Sequence, residues 1–395
     1  MTQLLIPTDE AGLAAAVADA HAAKTPLAIE GGGTRAGLGR PAQTEKTLSA
    51  RGLTGITLYE PAELVIGARA GTPLRVVEEA LAEKGQELTF EPMDHRPLLG
   101  TGGEPTVGGV AAANVSGPRR IMAGACRDSL IGVRFVNGKG EVVKSGGRVM
   151  KNVTGLDLVK LTAGSFGTLG VFSEVIFKVL PRSETMATLV LHGLDDAAAV
   201  AALSTALGSP FEVTGAAHLP ADVERVPKTL IRIEGFEASV TYRVGELRRL
   251  LAAGAAADVM QGELAAQLWR SVRDAAFLAE PRDLAVWRVS IAPSKAAAAL
   301  ARLPAGFVER HLFDWGGGLV WIATSSAGDA GAAVLRAALA GSGGYATMVR
   351  APDEVRAAVA VFEPLAPALA AVSAGIKRSF DPAGILNPGR MTAGL

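Results

Sequence analysis

The pattern of apolar and polar positions predicts an alanine-rich helix over 11–23, with Thr8 placed to cap it and Glu10 in its first turn. A short apolar strand at 26–30 runs straight into Gly31-Gly32-Gly33-Thr34-Arg35-Ala36-Gly37. Strands follow at 57–60 and 64–68. A helix opens at Thr72-Pro73-Leu74, where the missing proline N–H costs little, and runs to about Lys84 before Gly85 ends it. Glycine is dense from Gly100 to Gly117. Strands at 131–136 and 141–143 then flank Asn137-Gly138-Lys139-Gly140, a hairpin signal because Asn-Gly tolerates positive φ at both central turn positions. A strand over 169–180 ends at Pro181.

From 184 the character changes. Strands at 187–191, 230–234, 285–291 and 319–323 alternate with alanine-rich helices such as 197–206 and 331–339, which suggests a smaller unit whose sheet carries helices on one face. The last residues return to a turn-rich style. The reading is an α+β protein with three parts: 1–183, a cap domain over 184–370, and a C-terminal segment, 371–395, packing back on the first domain.

Composition narrows the function. A chain of 395 residues is too long for one ordinary domain. With 39 basic and 39 acidic residues the net charge is zero, so nothing electrostatic points to nucleic acid or an anionic membrane. Weak charge repulsion suits a subunit that works within a complex. The single cysteine, Cys126, excludes an internal disulfide and a Cys-rich metal or iron–sulfur site in this chain. Residues 1–10 lack the basic and apolar regions of a secretion signal. The apolar stretch 355–376 is broken by Arg356, Glu363, Pro364 and Pro367, and does not make an uncharged span of roughly 20 residues. A cytoplasmic protein is expected.

Three glycine-rich segments carry the chemistry. A strand emptying into Gly31, Gly32, Gly33 and Thr34 brings backbone N–H groups together with no Cβ in the way, and Arg35 adds charge. Such a loop cradles a pyrophosphate or makes a tight surface turn; alone it does not say which. It is not a Rossmann fingerprint, because no helix follows promptly. The second segment, Thr106-Val107-Gly108-Gly109 through Asn114 to Gly117, is apolar enough to pack and small enough for close approach of something flat or charged. The third runs from Asn152-Val153-Thr154-Gly155-Leu156-Asp157 to Gly164-Ser165-Phe166-Gly167-Thr168-Leu169-Gly170-Val171. Together they point to one extended nucleotide cofactor.

In that order, with Cys126-Arg127-Asp128-Ser129-Leu130-Ile131-Gly132 between, the motifs over 26–181 resemble the PCMH-type FAD-binding domain of the vanillyl-alcohol oxidase superfamily. The match covers about half the chain. The tail Phe380-Asp381-Pro382-Ala383-Gly384-Ile385-Leu386-Asn387-Pro388-Gly389-Arg390 resembles that of its 2-hydroxy-acid dehydrogenase branch. Gly117-Pro118-Arg119-Arg120 and the segment 149–158 resemble the FAD-binding subunits of glycolate oxidases. The resemblance implies a two-lobed FAD domain, with Gly31 to Arg35 at the pyrophosphate and Thr106, Gly108, Gly109 and Asn114 along the flavin and ribityl side. Gly167, Thr168, Gly170 and Val171 would close the pocket, and Arg127 and Asp128 fall in the matching motif. Members that tether FAD through the first loop use a histidine there; this loop has none, so noncovalent FAD is implied. Cys126 reads as a small buried thiol.

Metal-assisted relatives carry His-Ala-Gly-Asp-Gly-Asn-x-His in the cap domain. The comparable stretch here is Asp314-Trp315-Gly316-Gly317-Gly318-Leu319-Val320-Trp321, without histidine, and no metal site is expected. Of the five histidines only His95 lies near flavin-pocket sequence; it is a catalytic candidate or an ordinary loop residue. Arg119 and Arg120 are candidates for a cation beside the pocket or for surface salt bridges. The resemblance implies a multi-subunit glycolate oxidase in which this chain pairs with a homologous flavoprotein subunit and an iron–sulfur subunit. A self-sufficient dehydrogenase for another 2-hydroxy acid and a flavin-free structural partner are the alternatives.

Overall fold

The first helix, Glu10–Ala23, begins on Asp9: its carboxylate accepts the Gly12 N–H at 2.7 Å. Thr8 was expected in that role, but it is Asp9 that adopts the extended backbone an N-cap needs. The computed structural model describes residues 3–147, 155–251 and 256–395. The stretch 149–154 of the motif read above lies outside the described residues.

Leu13, Val17 and Ala20 of this helix pack against a small parallel sheet, Gln3–Leu5, Lys46–Ser49 and Leu27–Glu30 in that spatial order. A second, antiparallel sheet orders Ile56–Glu60, Val65–Arg69, Val171–Lys178, Leu130–Val136 and Val142–Gly146. These are the two lobes. The short helix Val107–Ala112 packs against the second sheet, and its Gly108 lies so close to Ala70 that a Cβ would sit 2.6 Å from the Ala70 Cβ.

The hairpin between Leu130–Val136 and Val142–Gly146 forms, but not on a two-residue Asn-Gly turn. Its ladder stops at Val136 and Val142, leaving five residues in the loop. Only Gly140 among them has a positive φ. The Asn137 carboxamide oxygen accepts the N–H groups of Lys139 and Glu141, while Gly138 is small because the Asp381 side chain abuts it.

Residues 185–350 carry the largest sheet, eight strands rather than the four expected: Ala257–Gln261, Thr185–His192, Lys228–Gly235, Gly215–Leu219, Arg310–Asp314, Leu319–Thr324, Ala285–Ser290 and Tyr345–Arg350. Strands such as Gly215–Leu219, Gly-Ala-Ala-His-Leu, have weak intrinsic β preference; being fully buried between two partners decides their state. One face is covered by helices Asp196–Leu207, Glu237–Leu251, Pro293–Leu300 and Ala332–Leu339. The other face packs on the two lobes, together with helix Gly262–Arg273 through Trp269 and Val272. Helices therefore lie on both faces, because one of them completes the contact between the domains.

At the helix-covered edge, His311 donates to the Asp222 carboxylate at 2.6 Å and to that of Asp196 at 2.9 Å, and Asp196 also faces His218 at 3.5 Å. Burial opposes a charge on His311, but the two carboxylates prevail and push its pKa up to about 9. Since the folded value lies above the unfolded one, this pairing stabilises fully below the unfolded pKa of about 6.5 and is lost as pH rises through 9. Urea denaturation should show a loss on the order of 2–3 kcal/mol between pH 6 and pH 10, absent in His311→Gln; equal slopes in both proteins would contradict this.

The C-terminal helix, Pro367–Phe380, buries Lys377, whose ammonium donates to Asp381, to the Thr168 carbonyl and to the Leu386 carbonyl at 2.6–2.8 Å. Leu386 then lies beside Leu27, with Leu27 N–H donating to Ile385 and Asn387 N–H to Leu27. The tail thus joins the small parallel sheet. No helix among the described residues is long and apolar enough to cross a membrane.

Candidate flavin site

Strand Leu27–Glu30 ends where helix Val107–Ala112 and the turn before Val171–Lys178 converge, and a cavity of about 980 Å³, part of it open to solvent, runs between them. Gly31, Gly32, Gly33, Thr34, Arg35, Thr106, Gly108, Gly109, Gly167, Gly170 and Val171 line it. All three glycine-rich segments therefore meet around one space.

The loop is fixed from behind. Ser49 Oγ donates to the Gly31 carbonyl at 2.8 Å, and Thr106 caps its own helix by accepting the Gly109 N–H. A Cβ on Gly31 would lie 2.2 Å from Thr106 Oγ1, and one on Gly32 would lie 1.8 Å from the Glu104 carbonyl oxygen. The N–H groups of Gly32, Gly33, Thr34 and Arg35 find no acceptor among the described residues. Four consecutive N–H groups without a protein acceptor along a cavity wall are the donor set that an anion cradle needs.

The tail was expected to pack back on the first domain but no residue of it was assigned to the site; two of its residues line the cavity. Asn387 accepts from Ile29 N–H at 2.8 Å and donates to the Phe166 carbonyl at 2.7 Å, holding the two walls together. Arg390 donates to the Arg35 and Ala36 carbonyls, yet its buried Nε has no partner. Burial lowers the pKa of this guanidinium to about 10, still charged at neutral pH, and the cation lines the same cavity as the free N–H groups. An anionic group such as a pyrophosphate fits that donor set. Glu30, also on the wall, has its carboxyl raised by burial.

Arg35 is aimed differently from the expectation that it adds charge to the loop. Its Nε donates to His95 Nδ1 at 3.3 Å and its Nη2 to the Met93 carbonyl, beneath the cradle. His95 is buried; burial first, then Arg35 and Arg288, push its pKa down to about 3. It is a neutral imidazole with its Nδ1 occupied, and it orients Arg35.

The remaining sequence candidates lie off the cavity wall. Asn114, with φ +48°, accepts the Arg127 N–H, and Asp128 accepts the Ala125 N–H, so Asn114, Arg127 and Asp128 together cap the turn Cys126–Ser129. Thr168 donates to the Ser165 carbonyl just behind Gly167. Cys126 is fully buried, and burial drives its thiol well above the ordinary range. Arg119 is enclosed by Glu87, Glu91 and Glu234. Arg120 instead lies over the Trp315 ring, 4.6 Å from its centroid. Among the described residues no group of three or more His, Cys, Asp or Glu side chains is arranged to hold a metal ion.

Residues 1–146 match the family described as FAD binding domain. The fold is that of PCMH-type FAD proteins: the 4-ethylphenol oxidase from Gulosibacter chungangensis superposes with a TM-score of 0.73 at 16% identity, over 98% of this chain and 88% of that one. Over 375 residues the chain is 36% identical to glycolate oxidase subunit GlcE of Escherichia coli (strain K12), spanning 94% of each. It is also 36% identical over 133 residues, 33% of this chain and 27% of that protein, to glycolate oxidase subunit GlcD of Bacillus subtilis (strain 168). The chain belongs to the glycolate oxidase GlcE family of FAD-binding oxidoreductase subunits.

Proposed function

We propose that this chain is the noncovalently FAD-binding subunit of a multi-subunit glycolate oxidase, converting glycolate to glyoxylate with electrons passing to partner subunits. The observation that carries the reading is the coincidence of an FAD-domain match with a cavity whose four free N–H groups and partnerless Arg390 Nε suit a dinucleotide's pyrophosphate. When bound, FAD accepts the two electrons released by the α-carbon of the acid. The protein's own part is to hold the pyrophosphate through Gly32 to Arg35 and Arg390, and to fix the walls through Asn387.

Partners on this reading are a homologous flavoprotein subunit, as the similarity to GlcD suggests, and an iron–sulfur subunit; the location is cytoplasmic, with membrane association through partners. Residues 1–183 form the FAD domain, 184–370 the cap, and 371–395 the returning segment. Asn114, Arg127, Asp128 and Thr168 support the pocket from behind its wall.

The purified chain should be yellow and release FAD on denaturation. With its partners, glycolate should bleach the flavin band, whereas the isolated chain should turn over glycolate and D-lactate little or not at all with an artificial acceptor. Colourless protein that takes up no added FAD would refute the flavin reading. Full turnover by the isolated chain would favour a self-sufficient dehydrogenase.

A further inference from the structure

We propose that Arg120 and Arg288, gathered on the Trp315 ring, form a carboxylate-binding site for a short 2-hydroxy acid within this chain itself. The proposal rests on the reading above and adds that this subunit meets substrate on its own residues.

The two guanidinium carbons lie 4.6 and 5.0 Å from the same indole centroid, one from the FAD domain and one from the cap. Neither side chain donates a hydrogen bond or pairs with a carboxylate among the described residues, although both are half-buried. The neighbour in sequence shows what charge compensation looks like here: Arg119 has three glutamates. Two adjacent, uncompensated cations cost free energy unless an anion joins them.

Direction follows from strand alternation. In Ala285–Ser290, Trp287 and Val289 pack under the cap helices, while Val286 belongs to the core shared with the FAD lobes. Arg288 has the parity of Val286 and so faces the FAD domain. There it is close enough to depress His95, which is hydrogen-bonded to Arg35 on the cavity wall. The pair is thus linked to the cradle through two side chains.

Asp314 acts on Arg288 through space but forms an ion pair with neither arginine. Asp314 is held by the Trp315 N–H at 2.7 Å, and burial raises its carboxyl to about 7. Burial leaves Arg288 with a pKa of about 10, a cation at neutral pH. Trp315 itself has φ +53°, a conformation unfavourable for a bulky residue, and its Nε1 donates to the Gly117 carbonyl. Strain held by surrounding structure keeps the indole under both cations. Each planar fork can meet a carboxylate with two parallel hydrogen bonds.

The test is calorimetric titration of the purified chain with oxalate, an unreactive dicarboxylate of the right size, with flavin content read separately from the visible spectrum. Saturable binding by the parent should weaken on the order of 10–100-fold in Arg120→Gln and in Arg288→Gln, with flavin content unchanged. Where Arg288→Gln does not fold, Arg288→Lys keeps the charge without the fork and should lose about tenfold. No oxalate binding by the parent, or equal binding by the variants, overturns the proposal. Protein lacking flavin but binding oxalate through these arginines would count against the FAD reading alone.

Discussion

Gly32→Ala is expected to give a folded, colourless protein. The added Cβ would lie 1.8 Å from the Glu104 carbonyl oxygen, a backbone atom that cannot rotate away, so the loop itself must move outward. The four free N–H groups from Gly32 to Arg35 move with it, and their common focus is lost. Charge-assisted hydrogen bonds contribute about 1.5–3 kcal/mol each, so losing two of them weakens FAD by at least 100-fold. Gly33→Ala separates contact from conformation. Nothing lies within 4 Å of its Cβ, but its φ of +79° disfavours a side chain by on the order of 1 kcal/mol. That variant should keep most of its flavin. Flavin content after gel filtration, with circular dichroism to confirm folding, decides; equal retention in both variants would mean that the loop is not the cradle.

Arg232→Met should lose about 3–5 kcal/mol of stability in denaturant titration. Arg232 holds both Glu91 oxygens at 2.9 Å, lies 3.4 Å from Glu234, and stacks on Trp269 at 4.6 Å. Burial alone would raise the Glu91 carboxyl, but Arg232 and then Arg119 hold it below its ordinary value. Methionine fills the space and leaves two buried carboxylates facing Arg119 alone. Adding Glu91→Gln should restore part of the loss, since an uncharged amide no longer needs a cation. A single variant within 1 kcal/mol of the parent would show that the cluster is solvated in practice. Glu91 belongs to the FAD domain and Arg232 to the cap, so the damage should appear first as easier separation of the two.

Those examples mark how far the sequence could be read. Gly31, Gly32, Gly108 and Gly170 were legible because each needs a missing Cβ at a close approach, and such positions show as glycine next to a strand. Arg119 and Arg120 look alike in sequence. Their different surroundings come from Glu87, Glu91 and Glu234 on one side and Trp315 and Arg288 on the other, all separated from them by long stretches of chain. No local pattern encodes that choice. Asn114, Arg127 and Asp128 form a motif because they cap one another, which explains their spacing without placing them on the cavity wall. Arg390 and Asn387 carried a recognisable pattern, but only the parallel return past Leu27 shows what they enclose. In the cap, the strands with β-branched residues were readable, and Gly215–Leu219 was not, because its neighbours rather than its own residues make it a strand.

The latch formed by Lys377, Asp381 and Leu386 sets an order of events in biosynthesis. Asn387 and Arg390 belong to the wall of a pocket whose other walls are made in the first half of the chain. Until residues 387–390 have been made and have folded back, the early lobes lack that wall. The pocket is thus whole only once the tail has docked beside Leu27, so anything that breaks the latch should loosen whatever the pocket holds.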